Sequence, residues 1–90
     1  MKKVYLAAHE GPVRRALLVT LPVFGVELVE KDGADIIMTC TREETLEALE
    51  QSQKPIFQLA VPRERVQHRR VSLFCVVDDY PAKFLTALAE

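Results

Sequence analysis

The chain has little net charge, few cysteines and no long apolar run. Its 12 Lys and Arg nearly balance 13 Asp and Glu, leaving a formal net charge of −1. No overall field therefore draws it toward nucleic acid or an anionic membrane. The longest apolar stretch, roughly Ala16 to Phe24, is interrupted by Pro22 and is too short to cross a bilayer. The start, Met1-Lys2-Lys3-Val4, lacks the apolar region and small-residue cleavage site of a signal peptide and reads as the lead into a strand. The only cysteines, Cys40 and Cys75, fall in apolar strand-like runs and read as reduced, buried thiols, in keeping with a cytoplasmic location. There is no glycine-rich phosphate loop: Glu10-Gly11-Pro12 offers one glycine, and neither a Walker motif nor GxGxxG occurs. No repeat, low-complexity tract or linker divides the sequence. Residues 1–90 read as one α/β domain, short enough to be only modestly stable alone.

What is present is a well-punctuated alternation of strands and helices. In Gly33-Ala34-Asp35-Ile36-Ile37-Met38-Thr39-Cys40-Thr41, the run Ile36-Ile37-Met38 has the unbroken apolarity of a strand covered on both faces. Thr41 stands three residues before Glu44, the spacing of a capping box. A helix is expected over Arg42–Ser52, with Leu46 and Leu49 as buried anchors beside Ala48. Upstream, Val4–Ala8 reads as the first strand, and Pro12 opens a helix. Val13, Ala16, Leu17, Thr20 and Leu21 fall on one helical face, with Arg14 and Arg15 toward solvent. Val26–Glu30 alternates like an edge strand. Downstream, Ile56–Val61 and Val71–Val77 read as strands, with a polar connector at Pro62–Arg70 long enough for one or two helical turns. Asp78-Asp79 caps a last helix that opens near Pro81 and buries Phe84, Leu85 and Leu88.

One connection leaves two folds open. Lys31-Asp32-Gly33 is far shorter than an ordinary parallel crossover, and Asp-Gly is a strong hairpin signal. Either a helix has been replaced by a tight loop in a compact, mostly parallel five-stranded sheet with about three helices, or the link is a true hairpin. The hairpin would make a ferredoxin-like βαββαβ core with an added strand and helix, its third strand antiparallel to the first.

The parallel reading resembles a receiver domain, the response-regulator module of the flavodoxin-like fold. The likeness is carried by Pro12-Val13-Arg14-Arg15-Ala16-Leu17 after an apolar strand, by Gly33-Ala34-Asp35-Ile36-Ile37, by Lys54-Pro55-Ile56-Phe57 and by Phe84-Leu85-Thr86-Ala87-Leu88. The phosphorylation residues of that family do not carry over. His9-Glu10 stands where it has an acidic pair, and Thr39-Cys40 where it has the phospho-accepting Asp. Ala60-Val61 replaces its Ser or Thr, and Asp78-Asp79-Tyr80-Pro81 its Lys-Pro. The resemblance thus implies a pseudo-receiver: a non-catalytic regulatory module acting through protein contacts, as a homodimer or with another protein, by its last helix and fifth strand.

A parallel sheet would gather His9, Glu10, Thr39, Cys40, Thr41, Asp78 and Asp79 at its carboxyl edge, where helix N-termini attract anions. These are the candidate ligand-binding residues for a small anion or nucleotide. Each also has an ordinary structural use: Thr41 and Asp79 as caps, His9 and Glu10 as a solvated turn. No metal and no cofactor is expected. Cys40 before a helix N-terminus would be an activated nucleophile in some settings, but a Cys-x5-Arg phosphate loop would need Arg where Leu46 stands. The densest charge cluster, Arg63, Arg65, His68, Arg69 and Arg70, has no interleaved aromatic and includes Glu64, so it reads as a solvated connector or docking patch before a nucleic-acid surface.

Overall fold

In the computed structural model, which describes Met1–Glu90, four short parallel strands lie side by side in the order of the chain. They are β1 (Val4–Leu6), β2 (Ile36–Thr39), β3 (Ile56–Ala60) and β4 (Val71–Cys75). The register places Val4 beside Ile36, Ile37 beside Ile56, and Ile56 beside Val71. The helices are α1 (Pro12–Val23), α2 (Arg42–Gln51) and α3 (Ala82–Ala89).

The strand expected at Val26–Glu30 is reduced to a single parallel bridge, Leu28 beside Val4. The sheet therefore has four strands, not five, plus one residue pair on the outer side of β1. That reduction explains the short link. A crossover needs a dozen residues when the chain must return from the far end of a full strand. Here the outer segment touches only the amino end of β1, through Val4 N–H to the Glu27 carbonyl and Val29 N–H to the Val4 carbonyl. The chain has only to step past one strand, and a 3-10 turn at Lys31–Gly33 suffices. β2 then pairs parallel with β1, so the antiparallel arrangement demanded by the Asp32-Gly33 hairpin does not occur. The ammonium of Lys54 holds the turn by donating to the carbonyls of Lys31, Asp32 (3.2 Å) and Ala34 (2.8 Å).

Alternating strand residues serve two faces. Val4, Leu6, Ile36, Met38, Leu59 and Phe74 meet Leu17 and Leu21 of α1 and Phe84 and Leu88 of α3 in the main core. Ile37 and Ile56 meet Ala48 and Leu49 of α2 on the other side. Phe57, Phe74 and Phe84 pack as an aromatic cluster with centroids 4.8–5.9 Å apart, a spacing favoured by the ring quadrupole.

Two helix faces differ from the sequence expectation. In α1 only Leu17 and Leu21 are buried; Val13, Ala16 and Thr20 are exposed. Arg14 is not on the solvent side but half-buried, its guanidinium bonded to the Leu6 and Ala8 carbonyls at 3.0 and 3.1 Å. These carbonyls lie on the edge of β1 beyond the Leu28 bridge, so Arg14 takes the place of a neighbouring strand. In α2 the buried residues are Glu44, Thr45 and Ala48, while Leu46 is exposed and Leu49 half-buried. The connector after β3 has one 3-10 turn, Pro62–Glu64. Both cysteines are free and half-buried rather than fully buried. No helix is long and apolar enough to cross a membrane.

Candidate functional site

The crevice at the carboxyl edge lies between β1, whose chain leaves to α1 on one face, and β2, whose chain leaves to α2 on the other. Ligands of open α/β sheets bind at such a divergence. Thr41 caps α2 with the full capping box: its Oγ1 accepts the Glu44 N–H at 3.1 Å, and Glu44 Oε1 accepts the Thr41 N–H at 2.9 Å. Glu44 does more than the box requires. Oε1 also accepts the Cys40 N–H at 3.0 Å, and Oε2 accepts the His9 N–H at 2.8 Å. A carboxylate only 6% exposed thus takes three backbone donors from two loops, as a bound anion would.

The electrostatics follow. Burial alone would push the Glu44 carboxyl up; the His9, Thr41 and Cys40 N–H groups, with the nearby His9 ring, outweigh it and hold the group below the usual 4.5. The His9 ring sits 3.2 Å from Glu47 Oε2 through Nε2, with Nδ1 3.7 Å from Glu44 Oε2. Its hydrogen bond to Glu47 raises it above 6.5, against some desolvation. Beneath, Thr45 Oγ1 donates to the Thr41 carbonyl at 2.8 Å, so the buried Thr39 hydroxyl is the donor in the 2.7 Å Thr39–Thr45 contact.

The expected site residues therefore divide. His9, Cys40 and Thr41 converge on Glu44, and Thr39 supports them. Glu10 is exposed and lies 4.0 Å from Arg14. Asp78 and Asp79 stand beyond β4. Asp79 does not cap α3, whose N-cap is Pro81 without a side-chain bond. Its Oδ2 instead accepts the Cys75 N–H at 2.8 Å, closing the turn after β4, and its Oδ1 meets Lys83 at 3.3 Å. These contacts hold its carboxyl below the usual 3.8. Cys40 borders an apolar recess of about 260 Å³ with Val13, Leu59, Val61 and Val76. Burial first, and the Glu44 charge second, push its thiol up to about 11, opposite to what an activated nucleophile needs. No three His, Cys, Asp or Glu side chains come close enough to ligate a metal ion.

A groove of about 420 Å³ runs beside the crevice. Its ionisable lining mixes Glu10, Glu44 and Glu47 with His9, Arg14 and Lys31, and so offers no excess of positive charge to a phosphate.

The basic cluster is also divided. Arg63, Arg65 and Arg69 are exposed. Arg70 is turned inward and donates to the carbonyls of Leu49, Ser52 and Lys54 at 2.7–3.1 Å, closing the open end of α2. Arg42 donates to the Arg65 carbonyl at 2.8 Å. The connector is further pinned by Gln58, wholly buried, whose amide donates to the Cys40 and Glu64 carbonyls and accepts the Val66 N–H. Sequence reasoning passed over Glu44, Gln58 and Lys54 as functional positions. Only Glu44 carried a signal, its capping-box spacing. Compared with models of known protein families, with curated proteins and with solved structures, the chain matches none.

Proposed function

We propose that this domain is a non-catalytic interaction module of flavodoxin-like, receiver-like type, working through contacts with proteins. The strand order supports that reading: with Leu28 counted as a vestigial second strand, the sequence of neighbours is 2-1-3-4-5. The filled crevice supports it too. The N–H groups that would hold a nucleotide or phosphate are spent on Glu44, and the groove beside it is not cationic.

The observation that carries the reading is the outer surface of α1. Val19 is 68% exposed and Val23 79%, one turn apart on the side opposite the buried Leu17 and Leu21, on a helix without an acidic residue. Isolated exposed apolar side chains are normal; two valines this exposed and adjacent on one helical face mark a contact surface.

Two measurements test this together. Phosphate, Mg²⁺ and a nucleotide panel at millimolar concentration are expected to leave the amide resonances of His9–Arg14 and Thr39–Arg42 unmoved. A photo-crosslinking amino acid in place of Val19 is expected to give a protein adduct in cells that express the domain, while one in place of Gln67 gives none. Absence of an adduct from position 19 would overturn the proposal, and saturable shifts around Glu44 would then favour a ligand-binding domain.

A further inference from the structure

The charge placement on α1 is the reverse of what its own dipole favours. A helix N-terminus is electropositive and stabilises acidic residues. Here the first turn has no acidic residue, and the last turn has no basic one. Arg14 and Arg15 stand near the N-terminal end. Arg14 is explained by its bonds to the β1 edge. Arg15 is exposed and lies on the same helical face as Val19 and Val23, which follow it at four-residue intervals.

That stripe is self-complementary. If a second α1 lies antiparallel across it with the two-fold axis at Val19, Val19 faces Val19 of the second copy, and Arg15 faces Val23 of the second copy. Each Arg15 then sits at the electronegative C-terminal end of the opposite helix, where a cation is favourable. An acceptor is also available there: the Thr20, Leu21 and Pro22 carbonyls accept the Phe24, Val26 and Gly25 N–H groups, while the Val23 carbonyl, at the very end, has no backbone partner. Ala16, small and exposed beside the stripe, permits close helix approach. Resting on the interaction-module reading above, we propose that α1 is an isologous homodimer surface, packing antiparallel against α1 of a second copy with Arg15 on the partner helix's C-terminal end. One helix pair buries less than a standard interface, so the dimer belongs to the weak, concentration-dependent class.

Sedimentation velocity from 5 μM to 1 mM, an experimental range on the order of what weak interfaces require, tests the proposal with three variants. The unaltered chain is expected to shift from monomer to dimer across that range. Val19→Asp, at an exposed position, is expected to remain monomeric throughout. Arg15→Glu is expected to raise the urea midpoint, since it matches the helix's own dipole, yet to weaken association at least about tenfold, as loss of a favourable charge and gain of an unfavourable one imply. The double variant Arg15→Glu, Val23→Arg is expected to regain association by pairing the charges across the axis. A chain that stays monomeric at 1 mM, or a dimer indifferent to Val19→Asp or Arg15→Glu, would overturn the proposal. Circular dichroism of each variant separates lost association from lost folding. A monomer whose position-19 crosslinker captures a different protein overturns the homodimer and leaves the interaction module standing. A monomer that captures nothing overturns both.

Discussion

Glu44 and His9 are joined by a 2.8 Å hydrogen bond, from the His9 backbone N–H to Glu44 Oε2, across 35 positions of sequence. Through it the first turn of α2 reaches over the sheet edge and fixes the loop that leads into α1. The same carboxylate holds the Cys40 and Thr41 N–H groups, so a single side chain organises both loops of the crevice.

Removing that carboxylate leaves three oriented donors without an acceptor. Glu44→Ala is expected to lower stability by roughly 2–4 kcal/mol in urea unfolding, the scale for losing charge-assisted hydrogen bonds from a buried site. Acetate or formate should recover part of this loss by binding the emptied cradle, and should leave the unaltered protein unchanged. A loss below about 0.5 kcal/mol would mean that the cradle is not strained toward an anion.

The pH dependence has two limbs. Glu44 has a folded pKa below its ordinary 4.5, so its contribution is complete above that value and is lost as pH falls through the lower, folded value. His9 has a folded pKa above its ordinary 6.5, so its contribution is complete below 6.5 and fades as pH rises through the raised value. Urea midpoints measured from pH 2 to 9 should form a plateau centred between pH 4.5 and 6.5. Glu44→Gln should reduce the acid limb to the share left by Asp79, which is also held below its usual value. In a histidine NMR titration, Glu47→Gln should bring His9 back toward 6.5.

Cys40 should be slow to alkylate. With its thiol at about 11 rather than 9.0, the thiolate fraction at pH 8 falls about a hundredfold. Iodoacetamide labelling of a Cys75→Ser variant at that pH should run far behind a reference thiol. Labelling as fast as the reference would show an activated residue.

Gln58 meets three backbone groups that apolar substitutes cannot. Gln58→Leu is expected to cost about 2–3 kcal/mol and to raise amide exchange at Val66. Retained protection at Val66 would show that the connector is held by other contacts.

Much of the architecture is legible in the sequence because each unit is locally consistent. Ile36-Ile37-Met38 running into the Thr41–Glu44 box gives both a doubly covered strand and the start of its helix. The outer segment at Val26–Glu30 has a strand's alternation, yet its length of pairing depends on how soon Lys31–Gly33 turns away, and alternation does not encode that. The buried face of α1 is ambiguous because the helix is apolar nearly all round: Val13, Ala16 and Thr20 fit one face as well as Val19 and Val23 fit another. In α2, hydropathy favours Leu46 over Glu44 and Thr45, whereas the fold buries the polar pair because every one of their oxygens finds a partner. The bond from His9 to Glu44 joins segments 35 positions apart, and no local pattern announces it.

The turn at Lys31–Gly33 is held from outside itself, by an ammonium arriving 20 to 23 positions later. A fastening that comes from downstream predicts an order of assembly. The span from β2 through α2 to β3 closes over the shorter loop and carries its own cap, so it leads. The segment beyond β1 is tied to the sheet by two backbone bonds at Val4 and to the rest of the fold by Lys54, so it is expected to open first when the native state fluctuates. In native-state hydrogen exchange, that order appears as early loss of protection at Val29 and Gly33, well before Met38 and Gln58.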